Sequence, residues 1–196
     1  MEIILGLCLG ITLSAACGFR VFVPPLAMSL AAIYAHFPLS SGFAWLGTPE
    51  AAIALAVATL IEILAYYLPL LDNLLDTISI PLAISIGTVL TAANLTDADP
   101  VLQWTLAAIA GGGSAGIIQS VFGISRLAST GITGGLSNFV IATIEALGAA
   151  TLSILGFTIP WFAAAIVIVI LMLAVFKATQ FLLSRWQSDR GNSSNV

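Results

Sequence analysis

The sequence predicts an all-α integral membrane protein with about six transmembrane helices, and three observations carry that reading. The chain of 196 residues is 60% hydrophobic and only 7% charged, whereas soluble domains carry about 25% charged residues. Its mean hydropathy is +1.12. Apolar runs long enough to cross hydrocarbon, about 20 residues each, recur along the chain between Gly, Pro and Asp-rich turns. The net charge of -4 provides no basic surface for nucleic acid.

The first apolar run covers residues 3–23. Ser14-Ala15-Ala16-Cys17 comes near a lipoprotein cleavage box, but the only early charge is Glu2, so no basic leader precedes it and the run reads as a retained span. Cys8 and Cys17 are nine residues apart, roughly 13 Å on one helix, too far to bridge each other; they read as small packing residues. The run is interrupted by Gly18-Phe19-Arg20-Val21-Phe22-Val23-Pro24-Pro25. An arginine in hydrocarbon costs roughly 2.5 kcal/mol or more and turns toward protein or water. Pro24 and Pro25 lack N–H donors and clash with a continuing helix. Residues 26–37 are then too few to cross and read as a half-helix or interfacial helix, so the region is broken or re-entrant. Backbone breaks at membrane depth survive only where protein or a cavity surrounds them.

A loop follows over residues 38–50, with Trp45 suited to a membrane surface. The second span is 51–68, ended by Pro69, and a short polar element surrounds Asp72 and Asp76. The third span is 80–95. Asp99-Pro100 marks a turn and a helix start. The fourth span is 101–124, a Gly/Ser/Thr loop covers 125–135, the fifth span is 136–155, and the sixth runs from Pro160 to 183. Residues 1–183 form a single membrane domain, and 184–196 a polar tail. Lys177, Arg185 and Arg190 put the carboxyl end in the cytoplasm by the positive-inside rule, and six spans put the amino terminus there too.

The halves, about 1–98 and 99–183, echo each other. Arg20 follows Gly18-Phe19, as Arg126 follows Gly123-Ile124-Ser125. Ala58-Thr59-Leu60-Ile61-Glu62 resembles Ala142-Thr143-Ile144-Glu145, and Ile80-Pro81 resembles Ile159-Pro160. Three spans per half is an odd number, so the copies are expected as an inverted 3+3 repeat, a hallmark of many secondary transporters. Chance similarity among apolar helices is the competing explanation.

The candidate functional residues are therefore Arg20, Glu62, Arg126 and Glu145, expected to meet as buried charge pairs in an assignment the sequence leaves open. They either serve passage of a solute or proton, or lock the halves together. Asp72 and Asp76, four apart on one helical face, supply two hard oxygens, where a full cation site needs about six; an ordinary acidic helix start is the favoured reading. Gln119 and Asn138 are polar contacts within spans. Gly112 and Gly116 lie in a Gly111-Gly112-Gly113-Ser114-Ala115-Gly116 run that matches a dinucleotide fingerprint literally, but without the strand that motif needs. They read instead as close packing, as do Gly6 and Gly10; a bend in the fourth span is the alternative for the former. No nucleophile elbow and no Cys/His cluster stands out, so no catalytic site, metal or cofactor is expected.

Gly18-Phe19-Arg20-x-Phe22-x-Pro24, Leu70-Leu71-Asp72-Asn73-Leu74-Leu75-Asp76 and the Gly-rich fourth span resemble a bacterial domain-of-unknown-function family of small integral membrane proteins. The resemblance covers about residues 3–183. It implies a membrane location and a shared fold, and no activity. The function expected from the residues is passage of a small solute or ion across a bacterial inner membrane. The alternative is a scaffold or assembly factor whose charge pairs are structural; a lipid-acting enzyme is the least supported class. The expected partners are the bilayer, a small solute or ion, and a second copy meeting the Gly6/Gly10 face.

Overall fold

The first apolar run does not form one span. In the computed structural model, which describes residues 2–67, 69–133 and 137–193, with side chains at 2–67, 75, 77–132 and 137–180, α1 (Glu2–Cys17) stops before the Gly-Phe-Arg stretch and α2 (Val23–Tyr34) starts with Pro24 and Pro25 in its first turn. Proline suits that position, because its missing N–H would have no intrahelical partner there. At 1.5 Å per residue α1 is about 24 Å long and α2 about 18 Å, both short of a ~30 Å hydrocarbon core. The two helices fold back on each other as a hairpin. The amino end of α1 lies beside residues near the end of the third expected span: Gly6 faces Asn94, Gly10 faces Thr91, and Gly18 reaches Ala115 and Ile118 further along the chain. After α2, Phe37 stacks edge-on against Phe157 at 5.3 Å, and the Ser40 amide donates to the Ala93 carbonyl. The chain has thus returned to the end from which α1 entered.

The loop expected at 38–50 contains a 3₁₀ turn (Ser41–Gly47), bent by 68° from α3 (Pro49–Ala65). Thr48 caps α3 by accepting from the Ala51 amide, and Pro49 takes the first helical position. α4 (Pro69–Asn94) runs through Pro81, so the acidic element is the start of this helix rather than a separate piece. Asp72 and Asp76 lie in its first turns; their side chains are outside the described residues. α5 (Pro100–Leu106), capped by Asp99, passes through a π-helical stretch (Ala107–Gly112) into α6 (Gly113–Thr133). The loop expected over 125–135 is helical as far as Thr133, a correction with a simple cause. The Ser125 hydroxyl donates to the Val121 carbonyl four residues back, which lets a hydroxyl-rich stretch stay helical. α7 is Asn138–Thr158 and α8 is Pro160–Ser193, so the helix continues into the polar tail.

Among the described residues all regular structure is helical. Four helical segments among the described residues are long and apolar enough to cross a membrane, or five if the bent 3₁₀–α3 pair counts as one span. Outward faces are apolar: Ile53, Val57, Leu60 and Leu64 on α3, and Val169, Met172, Leu173 and Phe176 on α8 are about half exposed. Such faces are stable against lipid rather than water. The chain is a helical, membrane-embedded protein.

α1 is the buried axis, packed on α4, α6, α7 and α8. Small residues make this possible. A Cβ at Gly10 would sit 2.9 Å from the Thr91 Cα, and one at Gly87 would sit 2.8 Å from the Ala115 Cβ. The Gly6/Gly10 face expected to meet a second copy is spent on α4. Gly112, which ends the π stretch, packs on Ile84 and Thr88 of α4, and Gly116, one turn on, packs on Ile84, so close packing and local irregularity occur together. Ser14 adds a polar stitch, donating to the Gly87 carbonyl and sharing a 2.8 Å bond with Thr91.

Candidate functional site: a buried charge cluster at the hairpin tip

Breaking a helix inside a protein exposes amides and carbonyls that need partners. At the tip between α1 and α2, the Phe19 and Arg20 amides donate back to the Ala16 carbonyl at 3.0 Å. The next two amides turn outward and are taken by one carboxylate. Val21 N–H donates to Glu62 Oε1 at 2.7 Å, and Phe22 N–H to Oε2 at 3.0 Å. Pro24 and Pro25 have no N–H to satisfy. The Gly18 carbonyl accepts from Gln119, whose amide, oriented from its surroundings, also accepts from Arg126 Nη2 at 3.2 Å. A side chain at Gly18 would meet the Ala115 carbonyl at 2.7 Å, so the tip requires glycine for space.

Arg20, carried by the tip, reaches α7. Its Nη2 donates to the Ala142 carbonyl at 2.8 Å and lies 3.2 Å from Glu145 Oε2. Arg126 of α6 meets the same carboxylate, with Nη1 2.7 Å from Oε1. Both guanidiniums also face the Tyr66 ring, at 3.9 Å and 4.6 Å from its centroid. The electron-rich face of the ring attracts both cations, and its hydroxyl bonds Ser79 at 2.8 Å. Phe19 seals the tip, 4.8 Å from Phe122 and lying over Gly148.

The four sequence-predicted charges are therefore gathered at one level, but the pairing is uneven. Glu145 serves both arginines, and Glu62 serves the backbone of the tip. Exposure is 1% at Arg20, 1% at Arg126, 0% at Glu145 and 6% at Glu62. Two positive and two negative charges cancel formally, which limits the desolvation cost of enclosing them. Glu62 also lines a crevice of about 240 Å³ between the hairpin tip, α3 and α4, with Val21, Phe22 and Ser79. Arg20 Nε and Nη1 are buried without a hydrogen-bond partner.

Gln119 belongs to this cluster. Asn138 lies two turns before Glu145 and donates to Thr130 at 2.9 Å, joining the start of α7 to α6. Tyr66 was invisible to the sequence reading, because an aromatic near the end of a span resembles an interfacial anchor. Its place one turn after Glu62 (i, i+4) was the available signal. Among the described residues no group of three His, Cys, Asp or Glu is arranged to hold a metal.

No curated protein and no solved structure matches the chain significantly. A sequence profile does, over residues 7–180, which includes the hairpin tip, the charge cluster and α8 as far as Gln180. With that span covered, the chain belongs to the family described as a domain of unknown function, DUF4126.

Proposed function

We propose that this protein passes a small solute or ion across a membrane, with the α1–α2 hairpin as its gate. The observation that carries the reading is the interrupted backbone at the hairpin tip, held by ionisable side chains rather than by continuous helix. Discontinuous helices of this kind form substrate sites in secondary transporters, and intramembrane charges mark pathways. The enclosed cluster corresponds to an occluded state, which opens when the tip parts from Glu62 and Glu145. No catalytic step enters the mechanism.

The helix directions support an inverted relation between α2–α4 and α6–α8. α4 is antiparallel to α6, since Gly87 meets Ala115 while Ile84 meets Gly116. α7 is antiparallel to α1, since Gly156 meets Leu9 and Gly148 meets Phe19. Five crossings plus a re-entrant hairpin put the two termini on opposite sides, in place of the shared side that six crossings imply. In support, Glu2, Asn94, Gly156 and Pro160 line one cavity of about 310 Å³ at the end where α8 begins. Lys177 and the basic tail then favour a cytoplasmic carboxyl end in a bacterial inner membrane.

A static scaffold is the second reading, and the 0–1% exposure of Arg20, Arg126 and Glu145 favours it. Thiol accessibility separates the two. With Cys8 and Cys17 replaced, single cysteines at 62 and 145 are treated with a charged, membrane-impermeant reagent from each side. Transport predicts labelling at 62 through the crevice, and slower labelling at 145 as the gate opens. Folded protein labelled at neither position is the scaffold result.

A further inference from the structure

The register between α1 and α4 brings two acids together at the end opposite the hairpin tip. The helices run antiparallel, with Gly10 against Thr91 and Gly6 against Asn94. One more turn toward the start of α1 is Glu2, and three residues past Asn94 is Asp97. Their carboxyl groups come within hydrogen-bonding reach, and that contact holds the Glu2 carboxyl above the ordinary carboxylate range. Two such groups do not stand side by side as anions unless a proton or a cation joins them. No Lys or Arg among the described residues is placed to do so. Arg20 and Arg126 lie at the tip, and Lys177 lies about 26 Å along α8 from its start at this end.

Beside Glu2 opens the cavity of about 310 Å³, whose polar lining includes Glu2, Asn94 and Thr96. Asn94 is 6% exposed. Its Nδ2 donates to the Leu90 carbonyl at 2.8 Å, which fixes the orientation of the amide, and its Oδ1 is buried with no hydrogen-bond partner. A buried acceptor left so is costly unless something else takes it. The carboxyl end of the 26-residue α4 adds partial negative charge at the same place. Every group offered here is a hard oxygen, and the cavity has room for about ten waters at ~30 Å³ each.

We propose that Glu2, Asp97 and the amide oxygen of Asn94 form a binding site for a hard divalent cation, Ca²⁺, at the mouth of this cavity. Ca²⁺ takes about six to eight oxygens in irregular geometry, whereas Mg²⁺ demands a near-ideal octahedron. Two carboxylates and one amide supply about five oxygens, and water completes the shell, so affinity falls in the weak range of about 10⁻⁴–10⁻³ M. The bound ion ties the start of α1 to the turn between α4 and α5 and so pins the foot of the hairpin. The site stands whether or not the protein transports anything.

The test uses purified full-length protein in detergent, stripped with a chelator and titrated with CaCl₂, with MgCl₂ and NaCl at matched ionic strength as comparisons. Ca²⁺ at tenfold over its half-effect concentration is expected to raise the melting temperature by roughly 3–6 °C, and the comparison salts by less than about 1 °C. Glu2→Gln and Asp97→Asn change exposed side chains, so both variants fold. Each is expected to abolish the rise, while melting no lower than the native chain in chelator because a like-charge contact is gone. Asn94→Leu keeps the bulk and is expected to raise the half-effect concentration several-fold. Asp72→Asn with Asp76→Asn is expected to leave the rise intact. An equal rise with either comparison salt, a rise that survives Glu2→Gln and Asp97→Asn combined, a rise lost with Asp72 and Asp76, or an unchanged half-effect concentration in Asn94→Leu overturns the proposal. So does stabilisation by acid that Ca²⁺ does not reproduce, since the pair then shares a proton instead.

Discussion

Glu145→Gln is the substitution that bears hardest on the dry charge cluster. Glu145 is fully buried and is shared by two arginines that are each 1% exposed. Glutamine keeps the volume and one acceptor oxygen but removes the only carboxylate that touches both guanidiniums among the described contacts. Breaking a buried pair by removing one partner costs about 3–5 kcal/mol, because the other charge stays behind. Here two charges stay behind, but Arg20 keeps the Ala142 carbonyl and both keep the Tyr66 ring, so the single-pair range applies. For a chain of this size that is a fall in melting temperature of about 6–20 °C, read by thermal unfolding in detergent. Adding Arg126→Met to Glu145→Gln should recover part of the loss, since one stranded cation is gone, and a double-mutant cycle measures the coupling. A fall under about 1 °C would sink the reasoning: the charges would then be solvated and the cluster wet.

Tyr66→Leu should cost about 1–2 kcal/mol by removing the ring that faces both guanidiniums. Tyr66→Phe, which keeps the ring and loses the Ser79 contact, should cost less than 1; unfolding midpoints of the two variants check the order. Gly18→Ala should destabilise by about 1–3 kcal/mol, because its Cβ would meet the Ala115 carbonyl and Ile118 at 2.7 Å. Gly123→Ala, with nothing within 4 Å of the new Cβ, should be neutral or stabilising by about 0.5–1 kcal/mol, and a shared melting assay contrasts the pair. Gly148→Ala should loosen the Phe19 seal, whose ring would lie 3.0 Å from the added Cβ, and so speed thiol labelling at position 145.

Much of this arrangement could be read from the chain because charges inside apolar runs stand out. Arg20, Glu62, Arg126 and Glu145 each interrupt a long uncharged stretch, and their burial cost implies that they seek one another. Who meets whom could not be read. Pairing depends on the depth and rotation of helices joined by turns of a few residues, and a one-residue change in either moves a side chain by 100° around its axis. The hairpin was half legible: two prolines and an arginine announced the break, but the end of α1 at Cys17 was hidden, since Gly18 and Phe19 are no more polar than the residues before it. Residues 125–133 misled for the opposite reason. Their Ser, Thr and Gly content is that of a loop, and only the hydroxyl bond back to Val121 shows how helix absorbs it. Tyr66 had no charge to betray it.

The hairpin also bears on the order in which the protein is made. Neither α1 nor α2 is long enough to cross hydrocarbon alone, and the groups that hold Arg20 and the tip amides after it come late. The Ala142 carbonyl lies 122 residues downstream and the Glu62 carboxylate about 40. At roughly 5–20 residues per second, α7 emerges about 6–24 s after the tip. During that interval the first segments of the chain carry an unneutralised cation and a broken backbone. They have no stable home in lipid until α3 supplies Glu62 and α7 supplies Glu145. The hairpin, synthesised before α3 and α7, is therefore among the last parts to settle, closing into a nest that those later helices build.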